Sequence, residues 1–156
     1  MATVGQICVR EVVTVTRDAN IADAARKMRD RHVGSLVVVE TRGDAERPIG
    51  IITDRDIVVE VCALDLDPHD VAVGELLDMG VPLVTVDETE DVRDALEAMR
   101  HHGLRRMPVL SSRRNLLGIV SSDDIIQVIV NDLNALASIS PRERKREAAT
   151  RRPVSV

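Results

Sequence analysis

No phenylalanine, tyrosine or tryptophan occurs anywhere in the 156 residues. Proteins that read single-stranded nucleic acid stack bases on aromatic platforms, so that mode of binding is excluded. Only two cysteines are present, Cys8 and Cys62, far apart and outside any Cys-x-x-Cys pair. They make neither a disulfide framework nor a zinc ribbon, and the expectation is two small buried hydrophobes. The histidines, His32, His69, His101 and His102, lack the i, i+4 spacing that sets two imidazoles on one helix face. No metal site is expected from them. No apolar run approaches the roughly 18 residues of a membrane span. The opening MATVGQICVREVV has no basic stretch leading into an apolar one, so it does not read as a signal peptide. A cytoplasmic location without a membrane partner is expected. No serine sits in a Gly-x-Ser-x-Gly elbow and no nucleophile has an oriented base, so the expectation is a protein that is not an enzyme.

Charge is present but uneven. The formal net charge is −5, yet residues 142–156 hold six Arg or Lys against two Glu, which leaves the rest of the chain strongly acidic. An acidic body repels a phosphate polymer, a second reason to expect no nucleic-acid partner. Residues 139–156 are poor in core formers and are expected to be a basic, flexible tail, solvated or docked on an acidic surface such as the body of a second subunit.

What the chain has in abundance is repetition. The stretch GIITDRDIV, residues 50–58, returns 68 positions later as GIVSSDDII, residues 118–126. VTVTRDANIADAARKM at 13–28 runs in register with VTVDETEDVRDALEAM at 84–99, and TVGQ at 3–6 matches AVGE at 72–75. Each copy reads strand, helix, strand, strand, helix. Val12–Val15 is a short β-rich run, followed by Ile21, Ala24, Ala25 and Met28 at the spacing of a one-sided helix. Asn20 and Asp91 stand as N-caps, with Asp23 and Asp94 in the first turns where carboxylates suit the helix dipole. The segments 36–39 (LVVV) and 107–110 (MPVL) are strands, each followed by a polar turn, TRGDAERP or SSRRN. The 24 valines fill a thin sheet without aromatics. The closing helices carry Ile57, Val58, Val61 and Cys62 in one copy and Ile125, Ile126, Ile129 and Leu133 in the other. The chain is therefore expected to be α/β (α+β), with repeats at 1–67 and 68–138 that are each too small to be secure alone and so pack on one another.

The repeated motif places a hydroxyl, Thr53 or Ser121, where a strand hands over to a helix, and an aspartate, Asp56 or Asp124, three residues on. A helix start offers unpaired N–H groups and a favourable dipole to an anion. A carboxylate one turn in can accept from both hydroxyls of a ribose, and Gly50 and Gly118 permit close backbone approach. Hydroxyl and acid at this spacing also make an ordinary capping box. Both readings stand at this point.

These residues carry a resemblance. HGLRRMPVL followed by LLGIVSSDDI, with its weaker echo in the first copy, resembles a tandem pair of cystathionine β-synthase (CBS) domains over about residues 2–138. The resemblance implies two β-α-β-β-α repeats packed with pseudo-two-fold symmetry into one module, with clefts that take AMP, ADP, ATP or a related adenosyl compound as a regulatory ligand and no required cofactor. It implies that Asp56 with Thr53, and Asp124 with Ser121, hold ribose and phosphate. It implies that the backbone around the start of the second strand receives the base, with Val33, Gly34 and Ser35, or Leu104, Arg105 and Met107, lining the pockets. The copies also differ from each other. Arg55 stands opposite Asp123, Arg105 and Arg106 stand opposite Gly34 and Ser35, and Val37 takes the place of Pro108, so unequal sites are expected. The expected role is a ligand sensor for signal transduction, a homodimer acting on a downstream protein; the alternative is a ligand-free dimeric interaction scaffold.

Overall fold

The protein is described from a computed structural model, which covers residues 2–80 and 82–150. After a short helix α1 (Val4–Ile7), the first repeat runs β1 (Thr14–Thr16), α2 (Ile21–Arg31), β2 (Ser35–Arg42), β3 (Ala45–Thr53) and α3 (Asp54–Glu60). Helix α4 (Val73–Asp78) then leads into β4 (Val86–Asp87), α5 (Val92–His102), β5 (Arg106–Leu110), β6 (Leu116–Ser121) and α6 (Ser122–Ala137). A last helix, α7, spans Ile139–Thr150. The architecture is mixed α/β, with two three-stranded sheets ordered β1-β2-β3 and β4-β5-β6. In each sheet the first pair is parallel and the second antiparallel. A register shift falls at Val38/Val39 and again at Val109/Leu110, so the repeat extends to its irregularities.

The local signals act as physics requires. Asn20 caps α2 by accepting from the Asp23 N–H at 2.8 Å, and Asp91 caps α5 by accepting from Arg93 at 2.8 Å. Ile21, Ala24 and Met28 on α2, and Val92, Ala95 and Met99 on α5, turn inward onto their sheets. Both helices end in a left-handed residue, His32 at φ 53° and Gly103 at φ 65°. Glycine takes that conformation without a Cβ clash, whereas histidine adopts it at some cost. The first hairpin is longer than the polar turn predicted: β2 and β3 pair out to Arg42 and Ala45, because backbone pairing continues through the charged residues between.

The leading segments are exchanged. Val4 is fully buried in the core built from Val86, Val92, Met99, Met107, Val109 and Ile125 of the second repeat. Val71, Val73 and Leu76 are buried in the core of the first, with Ile21, Leu36 and Ile52. The hydrogen bonds mirror each other: Val4 and Gly5 donate to the Glu90 and Glu88 carbonyls at 2.9 Å each, and Val73 and Gly74 donate to Ala19 and Arg17 at 2.8 and 2.9 Å. Val9 and Ile119 also exchange both backbone bonds at 2.9 Å. Burying one valine side chain contributes about 1.5–3 kcal/mol. Each repeat thus lends its neighbour a core residue and a strip of backbone pairing, and the two form one module.

Three expectations change. Cys62 is exposed, because α3 stops at Glu60 and the chain turns away through a 3-10 turn at Cys62–Leu64. Of the apolar residues expected to pack from α6, Ile125 is buried while Ile126, Ile129 and Leu133 are exposed. Residues 139–150 of the basic tail form a separate helix α7, with no buried residue: Pro141 falls in its first turn, where a missing N–H is tolerated, and the Arg, Lys, Glu and Ala residues from 142 on are strong helix formers. Residues 151–156 lie outside the described residues.

Candidate nucleotide-binding site

Strand β3 delivers Thr53 to the start of α3, where it and Asp56 lock into a reciprocal cap. Thr53 Oγ1 accepts from the Asp56 N–H at 3.2 Å, while Asp56 Oδ2 accepts from the Thr53 N–H at 2.8 Å and from its hydroxyl at 2.7 Å. Strand β6 and α6 repeat this: Ser121 Oγ accepts from Asp124 at 3.3 Å, and Asp124 Oδ2 accepts from the Ser121 N–H and hydroxyl at 2.8 and 2.6 Å. The capping role therefore holds at both positions. Only one oxygen of each carboxylate is used: among the described residues, Oδ1 of Asp56 and of Asp124 takes part in no hydrogen bond. Both aspartates are half-buried.

The starts of β2 and β5 lie beside these caps. Ser35 pairs with Thr53 and Arg106 with Ser121 in register. The Gly34 carbonyl accepts from Asp54 N–H at 3.0 Å, and the Arg105 carbonyl from Ser122 at 2.9 Å. Ser35 is the one buried polar side chain among the described residues, and its hydroxyl accepts from the guanidinium of Arg106. Ser35 and Arg106 are equivalent positions of the two copies, so this bond joins the repeats across their pseudo-axis, close to both caps. Arg106, expected at the second site, sets its guanidinium against the first.

The remaining candidates separate into two groups. Gly34, Arg55 and Arg105 are exposed beside the caps. Val33 and Leu104 pack against the two cores from the ends of α2 and α5. Met107 is fully buried within the second core, and Pro108 is buried next to it. Their side chains are core residues because β5 is covered on both faces, which leaves only backbone to face a ligand. Gly50 and Gly118 also serve packing: a Cβ at Gly50 would lie 2.4 Å from a Leu77 methyl, and one at Gly118 would lie 2.8 Å from Cys8 Sγ and from the Val9 carbonyl. The close approach they permit is that of the exchanged segment. Asp54, whose carboxylate flanks Gly34, was not singled out by the motif; its counterpart Ser122 is uncharged, and the pairing of DRD with SDD carries that signal.

Two grooves lie elsewhere. One, of about 580 Å³, is lined by Arg17, Glu40, Arg42, Gly74 and Asp78, and a smaller one of about 370 Å³ by Thr14, Asp23, Lys27 and Glu46. Both sit at the end of the first sheet opposite Thr53 and contain none of the cap residues. Arg17 is held in its groove by Asp78 at 2.6 Å. That bond and charge raise the guanidinium's pKa further, while the hydroxyl of Thr16 lowers that of Asp18. Among the described residues, no three His, Cys, Asp or Glu side chains come together to hold a metal ion, and no helix is long and apolar enough to cross a membrane.

Residues 4–62 and 73–131 each match the profile of the CBS domain. A protein of Methanopyrus kandleri is 36% identical over 126 residues, 81% of this chain, which spans 62% of that relative's length. Hypoxic response protein 1 of Mycobacterium tuberculosis is 38% identical over 121 residues, 78% of this chain and 76% of the relative. The crystal structure of Hypoxic Response Protein I, which has two coordinated zinc ions, aligns with a TM-score of 0.69 at 33% identity, over 81% of this chain and 98% of that one. The cytosolic domain of the Mg2+ channel MgtE in complex with ATP shares the fold, with a TM-score of 0.67 at 24% identity over 81% of this chain and 48% of that chain.

Proposed function

The chain belongs to the CBS domain family, and from that membership we propose that it is a non-catalytic regulatory module binding an adenosyl nucleotide, AMP, ADP or ATP, beside the two caps. The observation that carries the reading is the duplicated aspartate with one oxygen committed to its helix and the other open. That open oxygen is an acceptor for a ribose diol. The capping hydroxyls of Thr53 and Ser121 and the helix N–H groups suit phosphate, and the backbone at Gly34 and Arg105, beside the caps, suits the base. MgtE's cytosolic domain, of the same fold, is described in complex with ATP.

The two clefts differ in charge. Arg55 beside the first favours a phosphate chain, and Asp123 beside the second opposes one, offset there by Arg105. A nucleotide moves the balance between arrangements of the repeats by no more than its differential affinity for them. The Arg106–Ser35 bond is the contact through which occupancy of one cleft reaches the other. The module acts as a homodimer.

A second reading, a ligand-free dimeric scaffold, is favoured by the apolar outer face of α6 and by grooves that lie away from the caps. One preparation separates the two. Without Trp or Tyr the chain is nearly transparent where those residues absorb, so a co-purified nucleotide appears as its own purine band. Its release on denaturation and identification by mass supports the sensor. A clean protein whose melting temperature is unmoved by AMP, ADP, ATP, NAD or S-adenosylmethionine supports the scaffold.

A further inference from the structure

The larger groove on the first sheet lies where β1 ends and β2 continues. Strand β1 stops at Thr16, opposite Val39, while β2 runs on to Arg42 with β3 along its other side. Residues 40–42 therefore form an open strand edge, and Thr41 is exposed on it. Farther back, the Val37 N–H donates across to the Val13 carbonyl at 3.1 Å. Backbone direction repeats every second residue along a strand, so the Thr41 N–H points to the same side. In a continued ladder it would donate to the Arg17 carbonyl. That carbonyl instead accepts from the Gly74 N–H at 2.9 Å.

The second repeat closes the same place. Glu88, the counterpart of Arg17, donates its N–H to the Leu110 carbonyl at 2.9 Å, and its Oε1 accepts from the Ser112 N–H at 3.0 Å. Ser112 is the counterpart of Thr41. An arginine side chain has no acceptor to offer, and Arg17 turns to Asp78 at 2.6 Å. An edge that is capped in one copy is thus uncapped in the other, over a groove of about 580 Å³. That volume falls in the range of about 300–1,000 Å³ common among ligand sites. Charge says what fits there. With Arg17 and Asp78 paired, the lining keeps Asp18, Glu40 and Glu75 against Arg42.

We infer that this edge docks an extended, basic peptide segment of a partner protein. The segment lies beside β2 in the line of β1, accepts a main-chain bond from the Thr41 N–H, and sets arginine or lysine side chains on Asp18, Glu40 and Glu75. The site is at the end of the first sheet opposite Thr53, and its existence is independent of nucleotide binding.

The test uses the full chain and a fluorescein-labelled peptide of alternating arginine and valine, about five residues long, read by fluorescence polarisation. Saturable binding is expected, with hydrogen exchange at the Thr41 amide slowed by about 10-fold or more in the complex. Arg17→Glu gives the first repeat the acceptor that the second already has, so it caps Thr41 from within and should weaken binding by about 10-fold or more. The same substitution makes the groove more acidic, and a site that worked by charge alone would bind the peptide more tightly. Thr41→Pro removes the N–H at an edge position that tolerates proline, with a similar loss. Both variants should keep the melting temperature of the parent, since the Arg17–Asp78 pair is exposed and Thr41 lies on an open edge. A peptide alternating glutamate and valine should bind about 10-fold more weakly or worse. No binding of the basic peptide overturns the inference. So does equal binding of the acidic one, tighter binding by Arg17→Glu, or an affinity unchanged in Thr41→Pro.

Discussion

The segment that closes the first core and the segment that closes the second occupy equivalent places but touch their hosts through different atoms. Beneath Gly50 lie the methyl groups of Leu77, the ends of a flexible side chain. Beneath Gly118 lie Cys8 Sγ and the carbonyl oxygen of Val9, the latter fixed by the paired bonds to Ile119. A side chain can rotate out of the way of an intruding atom, while a hydrogen-bonded backbone cannot. The joint at the N-terminal segment is therefore the less forgiving one, although sequence repetition makes the two look alike. The clefts show a similar divergence: the capping geometry is nearly identical, and the charges around it are not.

The largest effect is expected from forcing that comparison. Gly118→Ala should lower stability by about 3 kcal/mol and Gly50→Ala by about 1 kcal/mol, read from urea midpoints. Equal losses would remove the distinction between the joints. Next are the carboxylates. Asp56→Asn keeps an oxygen to cap the helix and removes the charge, so it should weaken nucleotide binding at the first cleft by about 10-fold or more at little cost in stability. Asp124→Asn should do the same at the second cleft alone. Smaller is the exchange of helix endings: His32→Gly gives the first repeat the residue the second already has, and should raise stability by about 0.5–1 kcal/mol. Gly103→His should lower it by a similar amount. The smallest perturbation is chemical labelling. Burial pushes the Cys8 thiol above its ordinary pKa, against a smaller opposing effect of Arg10, so its thiolate is scarce at neutral pH. Cys62 is exposed, and peptide mass mapping should find it modified first. Modification of Cys8 at the same rate would mean that the N-terminal segment opens readily.

Local features were legible in the sequence because their causes are local. The caps at Asn20, Asp91, Thr53 and Ser121 involve neighbours two or three residues away, and each forms as read. The strands around Val37 and Val109 and the helices above them follow from β-branched runs and one-sided periodicity. The exchange of leading segments was not legible, because TVGQ and AVGE announce that two segments are alike without saying which core each enters. The same limit hid the purpose of Gly50 and Gly118, whose neighbours come from the exchanged segments rather than from their own repeats. Helix α6 misled for a different reason. It has two apolar faces, and periodicity alone does not separate a face turned to the core at Ile125 from one turned to solvent at Ile126 and Leu133. At the candidate site the aspartates and hydroxyls stand together as expected, while the side chain of Met107 enters the core, which leaves its backbone beside the site.

In the proposed function, two clefts of one design hold adenosyl nucleotides unequally. Titrating ATP and then AMP into the full chain by isothermal calorimetry tests it most directly. Two resolvable events per chain are expected, the tighter lost in Asp56→Asn and the weaker in Asp124→Asn, with ATP discriminating between the clefts more strongly than AMP. Two equal and independent sites, or no heat of binding for either nucleotide, would contradict it.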